Sequence, residues 1–129
     1  MSLRLTGAVD HDIERILEDN LQLFGPRQFR AYTDLIGQAL QRLAADPRGP
    51  GTSARADIGP GVRSLRLYAV ARRRGAGSHC VYYLPPEDGR GSDVVVLRLL
   101  HDRMEPGHRV TSARHDDQEW GGTPSGSKP

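Results

Sequence analysis

The hydrophobic period of this chain changes once along its length, and this change constrains the fold more than any other feature. Before residue 46, apolar side chains recur every three or four positions, which is the spacing of an amphipathic helix. They form two stripes, namely Val9, Ile13, Ile16, Leu17, Leu21 and Phe24, followed by Phe29, Tyr32, Ile36, Ala39, Leu40 and Leu43. After residue 61 the period changes to two, and apolar side chains alternate with polar ones over residues 62–70, as they do in strands. The chain is therefore predicted to form helices first and a sheet afterwards.

Turn residues divide this pattern into elements. Gly25-Pro26 separates the two helical stripes, and so short a connection folds the helices back as a hairpin. Strands are predicted at residues 3–5, 62–70, 79–84 and 93–100. The order is β-α-α-β-β-β, and the predicted fold class is α+β, with both helical stripes facing the core and the hairpin packed on a small antiparallel sheet.

The end of the chain differs in composition from the rest. From residue 107 onward the sequence is polar, and it closes in a run rich in Gly and Ser, as disordered segments do. We therefore predict one domain over residues 1–106 and a polar, disordered tail over residues 107–129. Trp120 in this tail is either a docking anchor or an accident of composition.

Several classes of protein are disfavoured by what the sequence lacks. No apolar run reaches the length of a transmembrane helix, and the first residues do not resemble a signal peptide. The single cysteine, Cys80, allows no internal disulfide, and the five histidines show no metal-binding spacing. The expectation is a cytoplasmic protein that contacts no membrane and needs neither a cofactor nor a metal.

Positive charge is concentrated in the middle of the chain. Net charge is +2, but residues 51–86 carry six arginines against one acid, Asp57. Such a surplus attracts polyanions or acidic protein partners. The triplet Arg72-Arg73-Arg74 lies in a Gly-containing turn, and it fits a solvated hairpin tip equally well.

A second basic group closes the last predicted strand. Arg98, His101 and Arg103 lie within six positions there, and Arg63 opens the neighbouring strand. Guanidinium and imidazole groups in this arrangement fit the binding of phosphate or of acidic side chains. The alternative, that the arginines pair with carboxylates of this same chain, stays open at this point.

The same region carries a resemblance to a known family. The run Leu99-Leu100-His101-Asp102-Arg103-Met104-Glu105-Pro106 is similar to a Leu-His-x-Arg-Met-Asp ending, and Pro60-Gly61-Val62-Arg63-Ser64 and His79-Cys80-Val81-Tyr82-Tyr83 fit earlier elements in order and spacing. Over residues 3–106 the chain resembles the ParE-type toxins of the RelE/ParE superfamily, the toxin half of bacterial type II toxin–antitoxin modules. Two residues depart from the family pattern: Leu84 stands in place of an Arg, and Glu105 in place of an Asp.

The resemblance implies a toxin with one of two activities. ParE-like members inhibit DNA gyrase and block replication, and here the implied target-binding residues are Arg63, Arg98, His101, Arg103 and Met104. RelE-like members cut mRNA in the ribosome, and the candidate catalytic residues would then be Arg63, His101, Arg103 and His108. The catalytic set is incomplete, because no Lys precedes Lys128 and no Tyr follows Tyr83. We therefore predict a non-catalytic gyrase inhibitor; an mRNA interferase or an inert antitoxin-binding module is the alternative.

The resemblance also implies a protein partner. A ParD-like antitoxin would lay an amphipathic segment along the helix hairpin and the sheet. Its acidic residues would meet Arg66, Arg72, Arg73 and Arg74. The chain would then work as a hetero-oligomer with the antitoxin, and would contact operator DNA only indirectly, through that partner.

Overall fold

Nine elements make up the fold of the computed structural model, which describes residues 2–71, 77–86 and 93–121. In chain order they are β1 (Leu3–Leu5), α1 (Gly7–Phe24), α2 (Pro26–Ala45), β2 (Thr52–Ala54), β3 (Arg63–Arg66), α3 (Leu67–Ala71), β4 (His79–Leu84), β5 (Val94–His101) and α4 (Pro106–Gly121). Among the described residues, no helix combines the length and apolar character that crossing a membrane requires.

Local chemistry explains where the helix hairpin begins and turns. The Thr6 hydroxyl accepts the backbone N–H of Val9, which satisfies one of the free donors at the start of α1. Gly25 ends α1 at φ 91°, a conformation that side-chain-bearing residues rarely adopt. Pro26 then begins α2 at a position where its missing N–H costs nothing. The predicted hairpin is therefore confirmed.

The sheet has five strands in the order β1-β5-β4-β3-β2. The pairs β2–β3, β3–β4 and β4–β5 are antiparallel, whereas β1 pairs with β5 in parallel. The α+β class is confirmed, but the sheet is mixed where a fully antiparallel one was predicted. The physical reason is that β1 pairs with the last strand of the sheet, which is distant in sequence, so no hairpin turn forces the two strands to run antiparallel; Leu3 lies opposite Val94 and Leu5 opposite Val96.

Apolar side chains fill both faces of the sheet. The larger core lies under the helix hairpin, where Leu43, Leu65, Tyr83 and Val96 are fully buried. A second cluster fills the opposite face, where α4 covers it. Its buried members are Val62, Cys80, Tyr82, Leu97, Leu100, Val110 and Ala113. β5 contributes side chains to both clusters and is therefore covered on both faces.

Three elements differ from those predicted. The strand predicted at 62–70 ends at Arg66, because the chain then turns into α3 and buries Leu67 beside α2. Residues 46–61, for which the sequence pattern predicted no helix or strand, contain the short strand β2. The tail predicted to be disordered from residue 107 instead contains α4 up to Gly121, which the apolar contacts of Val110 and Ala113 hold on β5.

Candidate binding site at the exit end of the sheet

Three ring side chains meet where β4 begins and β5 ends. His79 and His101 are register partners on these strands, and their rings pack edge to face with centroids 5.2 Å apart. Tyr32 reaches them from α2, and its hydroxyl lies 2.6 Å from His79 Nδ1. The result is a hydrogen-bonded Tyr32–His79–His101 cluster that ties the helix layer to this end of the sheet.

The surroundings change the acidity of two members of the cluster. Burial lowers the pKa of His79 to about 4, and the nearby His101 adds to this effect against the opposing pull of Asp102 and Asp12. Burial also raises the pKa of Tyr32 to about 12. At neutral pH the Tyr32 and His79 side chains are therefore uncharged, and these two present a polar but neutral surface.

The chain beyond His101 presents a short exposed turn. The backbone N–H of Met104 donates to the His101 carbonyl (2.9 Å), and that of Arg103 donates to His101 Nδ1 (3.0 Å). Any proton on this ring therefore sits on Nε2. Arg103 and Met104 are exposed, so this turn offers a cation and an apolar side chain to another molecule.

Arg66 lies beside this turn, at the end of β3. Its Nη2 donates to Asp102 Oδ2 at 2.9 Å, in an ion pair whose arginine side chain is 61% exposed. Exposed pairs of this kind contribute little to stability, so Arg66 is free to exchange Asp102 for an acidic group of a partner. Arg72, Arg73 and Arg74, the other residues predicted to meet the antitoxin, lie outside the described residues.

Arg98 does not join the exposed turn. Its Nε and Nη2 donate to Asp12 Oδ2 and Oδ1 at 2.6 and 2.8 Å, and the Asp12 side chain is only 2% exposed. The structure therefore shows Arg98 in an ion pair with a carboxylate of this same chain, which was the alternative to a role in binding. The sequence held a signal for this pair, since Asp12 lies three residues after Val9 and four before Ile16, on the core-facing stripe of α1.

Arg63 is also separated from the others. It is register partner to Tyr83, which in turn pairs with Val96, five positions before His101 on β5. Five residues of strand span roughly 16 Å. His108 is exposed in the first turn of α4, where its backbone N–H donates to Glu105. The residues predicted for target binding therefore divide, and His101, Arg103 and Met104 are the ones that share one surface.

A groove of about 710 Å³ opens beside the Tyr32–His79–His101 cluster. Its lining includes Leu23 and Phe24 at the end of α1, which are 72% and 67% exposed. Both helical stripes were predicted to face the core, and this end of the first stripe does not. The other residues that line the groove come from both helices of the hairpin, from the end of α3 and from the start of β4. Sequence reasoning did not find this groove, because it depends on where two helices and two strands meet.

Comparison with solved structures shows the class of fold. One chain of the chromosomal ParDE toxin–antitoxin system from P. aeruginosa is similar to this chain with a TM-score of 0.58. The sequences are 22% identical, and the match covers 78% of this chain and 95% of that chain. The helix hairpin on a mixed five-stranded sheet is thus a RelE/ParE-like fold.

Comparison with family models identifies the family. The model described as the ParE toxin of the type II toxin–antitoxin system parDE matches residues 3–106. This chain belongs to the ParE toxin family. A comparison with curated proteins gives no match.

Proposed function

We propose that this toxin arrests growth by binding DNA gyrase through the turn that follows β5, and that it does so without catalysing a reaction. The observation that carries the proposal is the exposure of Arg103 and Met104 on a turn whose backbone is fixed by His101. A rigid turn with one cation and one apolar side chain is suited to protein recognition, where Arg and Met are enriched.

The arrangement of the candidate catalytic residues supports binding over cleavage. Transcript cleavage needs a general acid or base together with cations placed around one phosphate. Arg63 stands roughly 16 Å along the sheet from His101, and its guanidinium donates to Thr52 Oγ1, which argues against the two side chains acting on one phosphate. His101 Nδ1 is occupied by the Arg103 N–H, which leaves one ring nitrogen for proton transfer.

The groove supports an amphipathic antitoxin as the protein partner. Leu23 and Phe24 offer it apolar anchors at the mouth of the groove. Arg66 pairs with Asp102, the residue after the lining residue His101, and the sequence Arg72-Arg73-Arg74 directly follows Ala71, another lining residue. We infer that a ParD-like antitoxin places its apolar side chains in the groove and its acidic ones against these arginines.

The test is a supercoiling assay with purified gyrase, run beside a ribosome-dependent transcript cleavage assay. The expected result is loss of supercoiling as the toxin is added, with intact transcripts and with recovery on adding the antitoxin encoded by the neighbouring gene. Unimpaired supercoiling together with cleaved transcripts would replace this proposal with the interferase. Growth arrest on expression without the antitoxin separates both activities from an inert antitoxin-binding module.

A further inference from the structure

Three arginines converge around the loop that joins α2 to β2, at the end of the sheet away from the Tyr32–His79–His101 cluster. We call Arg42, Arg48 and Arg63 the arginine cluster. Arg63 Nη2 donates to Thr52 Oγ1 at 2.8 Å, and this hydroxyl donates to the Gly49 carbonyl at 2.7 Å. Arg63 is thereby fixed against the backbone of the loop.

The other two members lie against this loop or within it. Arg42 Nη1 comes within 3.5 Å of the position that a Cβ would take on Gly51, the residue before Thr52. Arg63 is the register partner of Tyr83 across β3 and β4, and Arg48 follows Pro47 directly in the loop. The Tyr83 hydroxyl donates to the Pro47 carbonyl, which brings it into the same loop.

The positive charge of the cluster is not neutralised within the described part of the chain. None of the three arginines forms an ion pair with a described carboxylate. The nearest acid of the loop is Asp46, whose carboxylate lies against Gly49. Arg63 Nε is buried and has no hydrogen-bond partner among the described residues. A buried guanidinium donor without an acceptor is a costly arrangement that an oxyanion relieves.

We propose that the arginine cluster binds a phosphate group. The cluster and its loop carry these three guanidinium groups and one carboxylate, that of Asp46, so they have a surplus of two positive charges, which matches the charge of a phosphate monoester. Their planar donors bind phosphate oxygens in pairs. Arg48 is exposed and Arg42 and Arg63 are half-buried, so the site is open to a ligand from solvent. This inference stands independently of the gyrase proposal.

The test is an ¹H–¹⁵N NMR titration of the full chain with inorganic phosphate, against sodium chloride at the same ionic strength. Phosphate is expected to give saturable shifts at the amides of Gly49, Gly51 and Thr52, and Arg48→Gln is expected to weaken binding about tenfold. Arg27→Gln is the matched control, because Arg27 is exposed at the other end of α2 and its loss changes the net charge equally. The spectra themselves show whether each variant is folded.

Two further ligands distinguish the source of the phosphate. Deoxyadenosine monophosphate tests a free phosphomonoester, and a short single-stranded oligonucleotide without terminal phosphates tests a nucleic-acid backbone. Binding of either one at the loop amides supports the proposal and identifies the source. Equal shifts with chloride, equal weakening by Arg27→Gln, or binding of a glutamate-rich peptide but no phosphate would overturn it.

Discussion

Arg98 and Asp12 form a bidentate ion pair that joins β5 to α1, with donor–acceptor distances of 2.6 and 2.8 Å. Asp12 Oδ2 also accepts the backbone N–H of Leu99 at 3.0 Å. Leu99 lies on the same edge of β5 as β1, but beyond Val96, where the pairing with β1 ends. Further back along the same edge, Thr6 donates its backbone N–H to the Val96 carbonyl and its hydroxyl to the Leu97 carbonyl. Thr6 and the first turns of α1 therefore take the place of a neighbouring strand and protect an otherwise open edge of the sheet.

Removing the carboxylate of Asp12 is expected to destabilise the fold strongly. Asp12→Asn leaves the Arg98 guanidinium without its charged partner in a largely buried position, which costs about 3–5 kcal/mol. The free energy of unfolding from urea denaturation measures this loss. Glu14→Gln, on an 81% exposed side chain of the same helix, is the control and is expected to change little. Equal stability of the two variants would show that the pair is not a structural clamp.

The depressed pKa of His79 predicts a loss of stability in acid. The folded chain binds a proton at this position at about pH 4, whereas an ordinary histidine, as in the unfolded chain, binds it at about 6.5. The contribution of His79 is therefore fully present above pH 6.5 and is lost as the pH falls toward 4.

Unfolding free energies measured across this pH window test the assignment. His79→Gln is expected to flatten the acid side of the curve, and the exposed His11→Gln is expected to leave it unchanged. An NMR titration in which the His79 imidazole protonates near pH 6.5 would contradict the buried, neutral state.

Charges placed in the groove are expected to separate toxicity from neutralisation. Leu23→Asp and Phe24→Asp alter exposed side chains, so the toxin should still fold and still arrest growth. The antitoxin should no longer rescue growth, because its apolar anchors would meet a carboxylate. Leu21→Asp is the matched control, since Leu21 is 42% exposed on the same helix but does not line the groove. Full rescue of the groove variants would place the antitoxin elsewhere.

Shortening one side chain of α4 is expected to weaken the second core. Val110 is fully buried against the sheet face, and Val110→Ala removes two methyl groups, which is a loss of about 1.5 kcal/mol. The exposed neighbour Thr111→Ala is expected to stay within about 0.5 kcal/mol of the wild type. Urea denaturation measures both variants. An unchanged free energy of unfolding for Val110→Ala would mean that α4 is not part of the folded unit.

The helix hairpin and the central strands could be predicted because their sequence signals are local. Thr6, Gly25 and Pro26 mark the helix boundaries, and the run of strand-forming residues at 79–84, which ends at Pro85-Pro86, is recognised as a strand without its partners. α4 carries a weaker signal, since Val110 and Ala113 are the buried ones among its described side chains. A signal that could have revealed α4 is Pro106 at its first position, preceded by Glu105. In the structure the Glu105 carboxylate accepts the backbone N–H groups of Gly107 and His108.

The candidate site was harder to predict because its contacts are long-range. An arginine at the end of a strand has the same sequence signature whether it faces solvent, as Arg103 does, or a carboxylate 86 residues earlier, as Arg98 does. The parallel entry of β1 depends on its pairing with Val94–Val96 rather than on its own three residues. Tyr32 was predicted only as a core residue, and its bond to His79 bridges 47 positions.

Direct binding of the purified toxin to immobilised gyrase tests the central claim most closely. The wild type is expected to bind, Arg103→Gln is expected to bind about tenfold more weakly, and the exposed Arg27→Gln is expected to bind as the wild type does. Gyrase that retains no wild-type toxin, or binding that Arg103→Gln leaves unchanged, would contradict recognition through the turn after β5.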